Sequence, residues 1–244
     1  MAVDLNKFKN KVEKRLPLLF LVEESSMSYD FAGLIEVVLD DCLKKNIHTE
    51  FMVISFGLDW KLIFPKLKEN DAPFFVGLES IDTRNILSAI REIPKSRQTF
   101  LGSALELSKA VLDDPETMKS DRYKPIVFII TSREPAKGWE LPFENLLENG
   151  RSSSAQIYWV NSPEYNSVLI SEQIDKLGDF LKKYKKVVYK QFSSDWTSLS
   201  AEIVSSFKLE PLDEVPAEAP VEFTNPDFNG DFGDGTEAKG DGVV

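Results

Sequence analysis

The sequence is poor in the residues that form disulfides and zinc centres. Its 244 residues include one cysteine, Cys42, and one histidine, His48. A single cysteine excludes a disulfide within the chain, and such sparse use is typical of a reducing compartment. Cys42 falls among leucines at helical spacing, which favours a buried structural thiol. His48 lacks a second histidine nearby, so we expect neither a zinc site nor a Cys-His dyad.

Long apolar runs are also missing. The two longest, residues 16–22 and 125–130, have the length of strands and fall far short of a membrane span. The first seventeen residues are charged and polar and contain no apolar core of the signal-peptide kind. We therefore expect a cytoplasmic protein that makes no membrane contact.

Excess positive charge is absent as well. The net charge is −11, but ten acidic residues and one lysine in residues 209–244 account for −9 of it. The first 208 residues are nearly neutral, at −2, which does not suggest a surface that binds nucleic acid. Nucleic acid is therefore not an expected partner.

The motifs of common α/β enzymes do not occur. The chain has no phosphate-binding Walker loop, no G-x-S-x-G turn and no G-x-G-x-x-G. The adjacent carboxylates of Glu23 and Glu24 could in principle serve acid–base chemistry, but such a pair at a strand end is more often solvated or faces a partner. We expect a protein that is not an enzyme, and an α/β enzyme of unknown reaction stays as an alternative.

What the sequence does contain is a regular alternation of strand and helix patterns. Apolar runs predict strands at 16–22, 50–56, 60–64, 125–131, 155–160 and 186–189. Helical spacing predicts helices at 31–42, 86–93, 100–112, 139–147, 168–181 and 195–207, with Thr99 and Asp195 as capping residues. This order predicts an α/β fold with a doubly wound, mostly parallel sheet flanked by helices, spanning residues 1–208. Ligands of such sheets bind beyond the carboxyl ends of the strands, so the loops after Val22, around Thr99 and after Thr131 are the candidate site.

Three segments at those loops resemble one family. They are RLPLLFLVEESSMS at 15–28, QTFLGSALEL at 98–107 and YKPIVFIITSREPAKGWE at 123–140. Their order and spacing resemble von Willebrand factor A domains, in particular the bacterial TerY-like subgroup of tellurium-resistance and stress operons. The resemblance covers about residues 15–207 and implies the same Rossmann-like fold.

The resemblance also implies a metal ion-dependent adhesion site, in which an Asp-x-Ser-x-Ser loop, a Thr and a later Asp hold a divalent cation. With Ser26-Met27-Ser28 as the anchor, Ser26 keeps the second serine position and Thr99 the threonine position. Mg²⁺ prefers about six oxygen ligands, which such side chains supply. A weak Mg²⁺ or Mn²⁺ site formed by Glu24, Ser26 and Thr99 is therefore one hypothesis.

The same alignment loses two carboxylates. Val22 stands in the first Asp position, and Ser132 replaces the Asp of the third loop. Arg133 follows directly and adds a fixed positive charge that would repel Mg²⁺. In a second possible register Glu23 takes the Asp position and Ser25 the first serine position. Met27, a poor ligand for a hard cation, then stands in the second serine position. Either register predicts a degenerate metal site.

The sequence therefore favours a protein–protein interaction module or scaffold without a cofactor, and a divalent-cation switch is the alternative. The expected partner-binding loop residues are Glu23, Glu24, Ser25, Ser26, Ser28, Thr99, Ser132 and Arg133. The resemblance implies a bacterial signalling or stress-response role beside a phosphatase of the PP2C type and a protein kinase.

Residues 209–244 have a different composition, rich in Pro, Gly, Asp and Glu, and we expect them to form a disordered acidic tail. Phe223, Phe228 and Phe232 alternate there with acidic residues, which is typical of a segment that folds on a partner. A purely solubilising tail is the alternative. The lysines between Lys182 and Lys190 could dock this tail, or they could protect a sheet edge.

Overall fold

The structure is a computed structural model that describes residues 14–68, 71–162, 168–191 and 195–212, with the side chains of 168–174 left out. No helix within these ranges is both long enough and apolar enough to cross a membrane. Residues 213–244, which include Phe223, Phe228 and Phe232, lie outside the described residues.

A single mixed sheet forms the centre of the described chain. Its strands are β1 (Leu16–Glu23), β2 (Thr49–Phe56), β3 (Trp60–Phe64), β4 (Val76–Gly77), β5 (Ile126–Thr131), β6 (Gln156–Asn161) and β7 (Val187–Gln191). Their order is β3-β2-β1-β5-β6-β7, and the short β4 pairs with β2. The strands β2, β1, β5, β6 and β7 run parallel, whereas β3 and β4 are antiparallel to β2.

The central position of β1 follows from its composition. All eight of its residues are buried, because helices cover both faces of the sheet. The chain runs from β1 to β2 on one side and later returns to place β5 on the other side. This reversal of strand order creates a topological switch point between the carboxyl ends of β1 and β5, where a crevice is expected.

Within the described ranges, six α-helices connect and cover the strands. They are α1 (Ser28–Lys44), α2 (Thr83–Arg91), α3 (Leu101–Asp113), α4 (Glu140–Glu148), α5 (Val168–Leu181) and α6 (Trp196–Ser205). Helices α1, α2 and α6 pack on one face of the sheet, and α3, α4 and α5 on the other, each over its own apolar core. Rings of adjacent strands stack in the first core, with the Phe20 and Phe128 centroids 4.9 Å apart.

The α/β class and the mostly parallel sheet confirm the prediction from the sequence. Most elements begin and end within a few residues of their predicted limits. The strand β4 and two short 3-10 helices, at Leu78–Ser80 and Arg151–Ser154, were not predicted. The capping role predicted for Asp195 is confirmed, since its carboxylate accepts hydrogen bonds from the amides of Thr197 and Ser198.

Residues 209–212, which follow the predicted boundary at residue 208, also pack against the sheet. Pro211 forms an antiparallel bridge with Tyr123, and the Leu212 amide donates to the carbonyl of Arg122. Leu212 is 5% exposed and belongs to the second core. Because Arg122 and Tyr123 precede β5, this contact lies at the amino edge of the sheet, opposite the switch point.

Candidate functional site

Four connections meet at the carboxyl edge of the sheet: residues 24–27, 57–59, 92–100 and 132–139. Three backbone hydrogen bonds join them, from Ser96 N to Glu24 O (2.9 Å), from Phe100 N to Gly57 O (2.8 Å) and from Ala136 N to Thr99 O (2.8 Å). The 92–100 loop thus bridges the ends of β1, β2 and β5. The loops predicted from the sequence do converge, and the turn after β2 joins them.

Glu23 is the last residue of β1, and its carboxylate lies in the switch-point crevice. It is fully buried and accepts hydrogen bonds at Oε2 from the amide and the hydroxyl of Ser132 (2.9 Å for the hydroxyl). Burial away from water raises the pKa of Glu23, and the bonds from Ser132 and Arg133 oppose that rise. The ends of β1 and β5 are therefore tied together through this one side chain.

Arg133 supplies the positive charge that balances Glu23. Its Nε donates to Glu23 Oε1 (2.8 Å), and its second guanidinium nitrogen donates to the carbonyl of Ser96 (2.8 Å). One guanidinium therefore links β1, the loop after β5 and the 92–100 loop. A planar, permanently charged group with several donors suits such a three-way contact.

Glu24 leaves β1 in the opposite direction from Glu23, as the alternation of side chains along a strand requires. Its Oε1 accepts from the Ser55 hydroxyl (3.3 Å) and from Lys61 Nζ (3.0 Å), on β2 and β3. A β-carbon at Gly57 would lie 2.1 Å from Glu24 Oε2, so only glycine allows this close approach. Glu24 is 5% exposed and belongs to the β2–β3 side of the edge.

The serines after Glu24 form the turn into α1. The Ser25 hydroxyl accepts from the Met27 amide (2.9 Å), and the Ser28 hydroxyl donates to the carbonyl of Arg91 (3.2 Å). Ser25 and Ser28 are buried, whereas Ser26 is exposed. The serines therefore shape the loop and join it to the end of α2, and only Ser26 presents its side chain to solvent.

Thr99 is buried, but it does not cap α3 as the sequence predicted. The helix begins at Leu101, Phe100 occupies the cap position, and no side chain accepts a hydrogen bond from the first turn. The carbonyl of Thr99 accepts from Ala136 instead. The prediction failed because it placed the helix start one residue too early.

The donor atoms at this edge do not fit a divalent cation well. Both oxygens of Glu23 already accept hydrogen bonds, and Glu24 is directed towards Lys61 and away from the crevice. The ammonium group of Lys61 and the guanidinium group of Arg133 thus already occupy the carboxylate oxygens that a divalent cation would need. Within the described residues, no three Asp, Glu, His or Cys side chains form a group that could hold a metal ion.

Large apolar side chains surround the buried pairs on the solvent side. Of the eight large hydrophobic residues exposed within the described ranges, five lie in these loops or within two residues of them: Tyr29, Leu58, Trp60, Phe100 and Leu141. We call these five the apolar rim. Leu58 and Leu141 are 70% and 66% exposed, which is unusual for leucine.

An open cavity of about 460 Å³ lies within this edge. It is lined by Glu24, Leu58, Lys95, Ser96, Arg97 and Gln98. Lys61 pairs with Glu24, and Lys95 and Arg97 are exposed. The cavity therefore combines an apolar wall with two cations.

Several of these residues were missed from the sequence. The turn Gly57-Leu58-Asp59 was predicted, but only as a connection between two strands. The 92–100 loop lies in a region with weak hydrophobic periodicity, so the sequence did not predict a role for Ser96 or Arg97. The one signal for a binding surface that the sequence offered was an apolar residue, Leu58, in a predicted tight turn.

The strand order gives an α/β domain whose fold is similar to that of von Willebrand factor A domains. Solved structures support this fold. Proximal thread matrix protein 1 from the mussel byssus matches with a TM-score of 0.52 and 15% identity, over 79% of this chain and 48% of its own. A von Willebrand factor type A protein from Catenulispora acidiphila matches with a TM-score of 0.51 and 11% identity, over 79% of this chain and 42% of its own.

The chain spans about half the length of these proteins or less, and identities this low establish the fold alone. No family model matches the sequence, and no curated protein matches it either.

Proposed function

We propose that this protein is a non-catalytic protein-binding module that uses the carboxyl edge of its sheet and needs no metal ion. The observation that carries the proposal is the apolar rim, because five of the eight exposed large hydrophobics of the described residues gather at one edge. Apolar groups concentrated around loops are typical of protein interfaces. Domains of this fold also commonly mediate protein interactions.

The ion pairs of the two buried glutamates support the metal-free part of the proposal. Arg133 holds Glu23, and Lys61 holds Glu24, with N–O distances of 2.8 and 3.0 Å. A metal ion would have to displace these groups, and the guanidinium of Arg133 would then lie beside the metal ion without a counter-charge, which is costly for a partly buried group. The same pairing argues against catalysis, since neither carboxylate is placed to act as a general base.

Capture experiments with the full chain test the binding edge. Leu58→Glu and Leu141→Glu place charge on the apolar rim, whereas Leu43→Glu and Leu209→Glu make the same change at exposed leucines elsewhere. We expect the wild type and the two control variants to capture the same proteins. The two rim variants should not capture them. Equal capture by all four variants would show that the edge is not the binding surface.

Calorimetry tests the need for a metal. We expect no binding of Mg²⁺ or Mn²⁺ tighter than about millimolar, because the oxygens of Glu23 and Glu24 are engaged. The capture of partners should also be unchanged by a chelator. Tight binding that disappears in Ser26→Ala would instead support the cation switch formed by Glu24, Ser26 and Thr99.

The finer assignment rests on the resemblance alone. We propose a scaffold in a bacterial signalling or stress-response system, with a PP2C-type phosphatase and a protein kinase as candidate partners. Direct binding assays with such proteins from the neighbouring genes would test it, and the rim variants provide the matched controls.

A further inference from the structure

Five lysines lie within nine residues between the end of α5 and the end of β7, and no acidic residue stands among them. They are Lys182, Lys183, Lys185, Lys186 and Lys190. The first and the last are paired, Lys182 with Asp179 at 2.7 Å and Lys190 with Glu202. The three between them, which we call the lysine cluster, pair with no carboxylate of the described chain.

The contacts of the lysine cluster leave its positive charge in place. All three side chains are exposed. Lys183 lies over the ring of Phe180, 5.0 Å from its centroid, and Lys186 donates to the carbonyl of Ser153. Neither an aromatic ring nor a carbonyl cancels the charge of an ammonium group. The cluster can therefore still attract an anion.

Charged groups on neighbouring elements change this balance only in part. The Tyr184 hydroxyl donates to Glu144 at 2.7 Å, and burial together with the carboxylates of Glu144 and Glu148 raises the pKa of Tyr184 to about 12. Arg151 adds a guanidinium that donates to the carbonyl of Met118. Counted with the two ion pairs, these groups leave the region with an excess of positive charge.

Protection of the sheet edge does not account for the lysine cluster. Lysines discourage edge-to-edge pairing when they stand along the edge strand itself. Of the five lysines only Lys190 lies within β7, and its charge is paired. The cluster precedes the strand, so its three charges call for another role.

The lysine cluster lies at the amino edge of the sheet, where the acidic tail begins. Lys186 directly precedes β7, which runs parallel to β6 and β5. Leu212 is held at the same edge by its hydrogen bond to Arg122, just before β5. Two strand spacings, about 10 Å, separate β5 from β7.

The tail has the complementary charge and sufficient length. Residues 213–244 contain nine acidic residues and one lysine, and they lie outside the described residues. The six residues from Leu212 to Glu218 can extend to about 20 Å, which already exceeds the separation of the two strands. The carboxyl edge is farther away, because the eight residues of β1 separate the two edges by about 26 Å.

We propose that the acidic tail docks on the lysine cluster of its own chain and shields these lysines from other polyanions. The tether keeps the tail at an effective concentration on the order of millimolar, so a weak contact is enough. The inference does not depend on the proposed function, because the lysine cluster and the apolar rim lie at opposite edges of the sheet.

A spin label on the full chain tests the docking. Asn229→Cys introduces a thiol in the tail, and Cys42 should stay unlabelled, since it is fully buried and burial raises its pKa to about 12. We expect NMR line broadening at the amides of Lys183, Lys185 and Lys186 that does not depend on protein concentration. The broadening should disappear in about 0.5 M NaCl, where the Debye length is roughly 4 Å.

Matched charge changes separate docking from mere proximity of the label. Lys183→Gln with Lys185→Gln should abolish the broadening. Lys119→Gln with Lys137→Gln removes the same charge at two other exposed lysines and should preserve it. Broadening that survives the first pair or the added salt, or that is absent from the start, would overturn the docking. Broadening that appears only at high protein concentration would show contact between molecules and would overturn it too.

Poly-L-glutamate provides a second readout of the shielding. A tail that is docked about nine-tenths of the time would weaken a competing polyanion about tenfold. We therefore expect the full chain with Glu218→Gln, Glu222→Gln and Asp227→Asn to bind poly-L-glutamate about tenfold more tightly than the wild type in fluorescence anisotropy. This gain should vanish in the background of the two cluster substitutions. An equal gain in both backgrounds would show a general effect of net charge and would overturn the proposal.

Discussion

Two neighbouring glutamates at the end of β1 have different roles because the strand directs them to opposite sides. Glu23 pairs with Arg133 in the crevice, and Glu24 pairs with Lys61 beside β3. The sequence showed the adjacent carboxylates and the arginine that follows Ser132. It could not show the pairing, because Glu23 and Arg133 are 110 residues apart and meet only through the order of the strands.

Replacing Arg133 with methionine should destabilise the protein in a pH-dependent way. The buried Glu23 would lose its positive partner, and we expect the free energy of unfolding to fall by about 1–3 kcal/mol near pH 8. This value is smaller than that for a fully buried pair, because Arg133 is 31% exposed and its charge is partly screened by solvent. The pKa of Glu23 is already raised by burial and should rise further. A raised native pKa means that folding favours the protonated carboxyl. Its contribution is therefore retained at low pH and lost as pH rises through the native pKa.

Urea unfolding at pH 5 and pH 8 measures this effect. The deficit of Arg133→Met relative to the wild type should be smaller at pH 5. Arg84→Met, which breaks an exposed pair with Asp82, is the control and should show no growing deficit at high pH. Equal deficits of Arg133→Met at both pH values would refute the role given to Glu23.

Two glycine substitutions should have opposite effects on stability. In Gly57→Ala the new methyl would meet Glu24 Oε2 at 2.1 Å and force the carboxylate off Ser55 and Lys61, at a cost of about 1–3 kcal/mol. In Gly33→Ala, within α1, the nearest atom is 3.8 Å away on Trp196. That change should stabilise the helix by about 0.5–1 kcal/mol. Denaturant titration of both variants checks the contrast, and a neutral Gly57→Ala would contradict the packing described for Glu24.

At the scale of elements, the start of α3 lies at the proposed binding edge. Phe100 occupies the N-cap position of α3, but its side chain cannot accept a hydrogen bond from the amides of the first turn. Its ring is partly exposed on the apolar rim. Polar side chains are preferred in such positions because they accept hydrogen bonds from the free amides. The helix therefore forgoes a better cap in favour of an exposed ring, as expected where binding and stability compete.

Comparing Phe100→Asn with Phe100→Ala isolates this cap. Both variants lack the ring, so the difference between them reports the hydrogen bond of the asparagine side chain. We expect Phe100→Asn to be more stable by about 1 kcal/mol in thermal or urea unfolding, while both lose partner capture equally. If Phe100→Asn captured partners as the wild type does, the ring would have no part in binding.

The elements that the sequence predicted best are those with a strong pattern of their own. The buried run of β1 and the apolar spacing of α1 allowed predictions within a few residues. The two residues of β4 were missed because their strand character comes from pairing with the edge of β2. Short elements of this kind depend on a partner that sequence spacing does not reveal.

At the scale of the whole molecule, packed residues are found beyond the point at which the composition changes. The acidic composition begins near residue 209, but residues 209–212 still pack against the amino edge. Ending the chain after residue 212 should leave the free energy of unfolding unchanged. Ending it after 208 should lower that energy by about 1.5–3 kcal/mol, since the burial of Leu212 is lost. Equal stability of the two truncated chains would place the boundary back at 208.

Ser96 is held from three directions: its amide donates to Glu24 O, its carbonyl accepts from Arg133, and its hydroxyl donates to the carbonyl of Gln98. A recognition loop fixed in this way meets its target in a single shape, and little conformational freedom remains to be lost on encounter. Association should then proceed in one kinetic phase whose rate rises linearly with target concentration, without a slow rearrangement step.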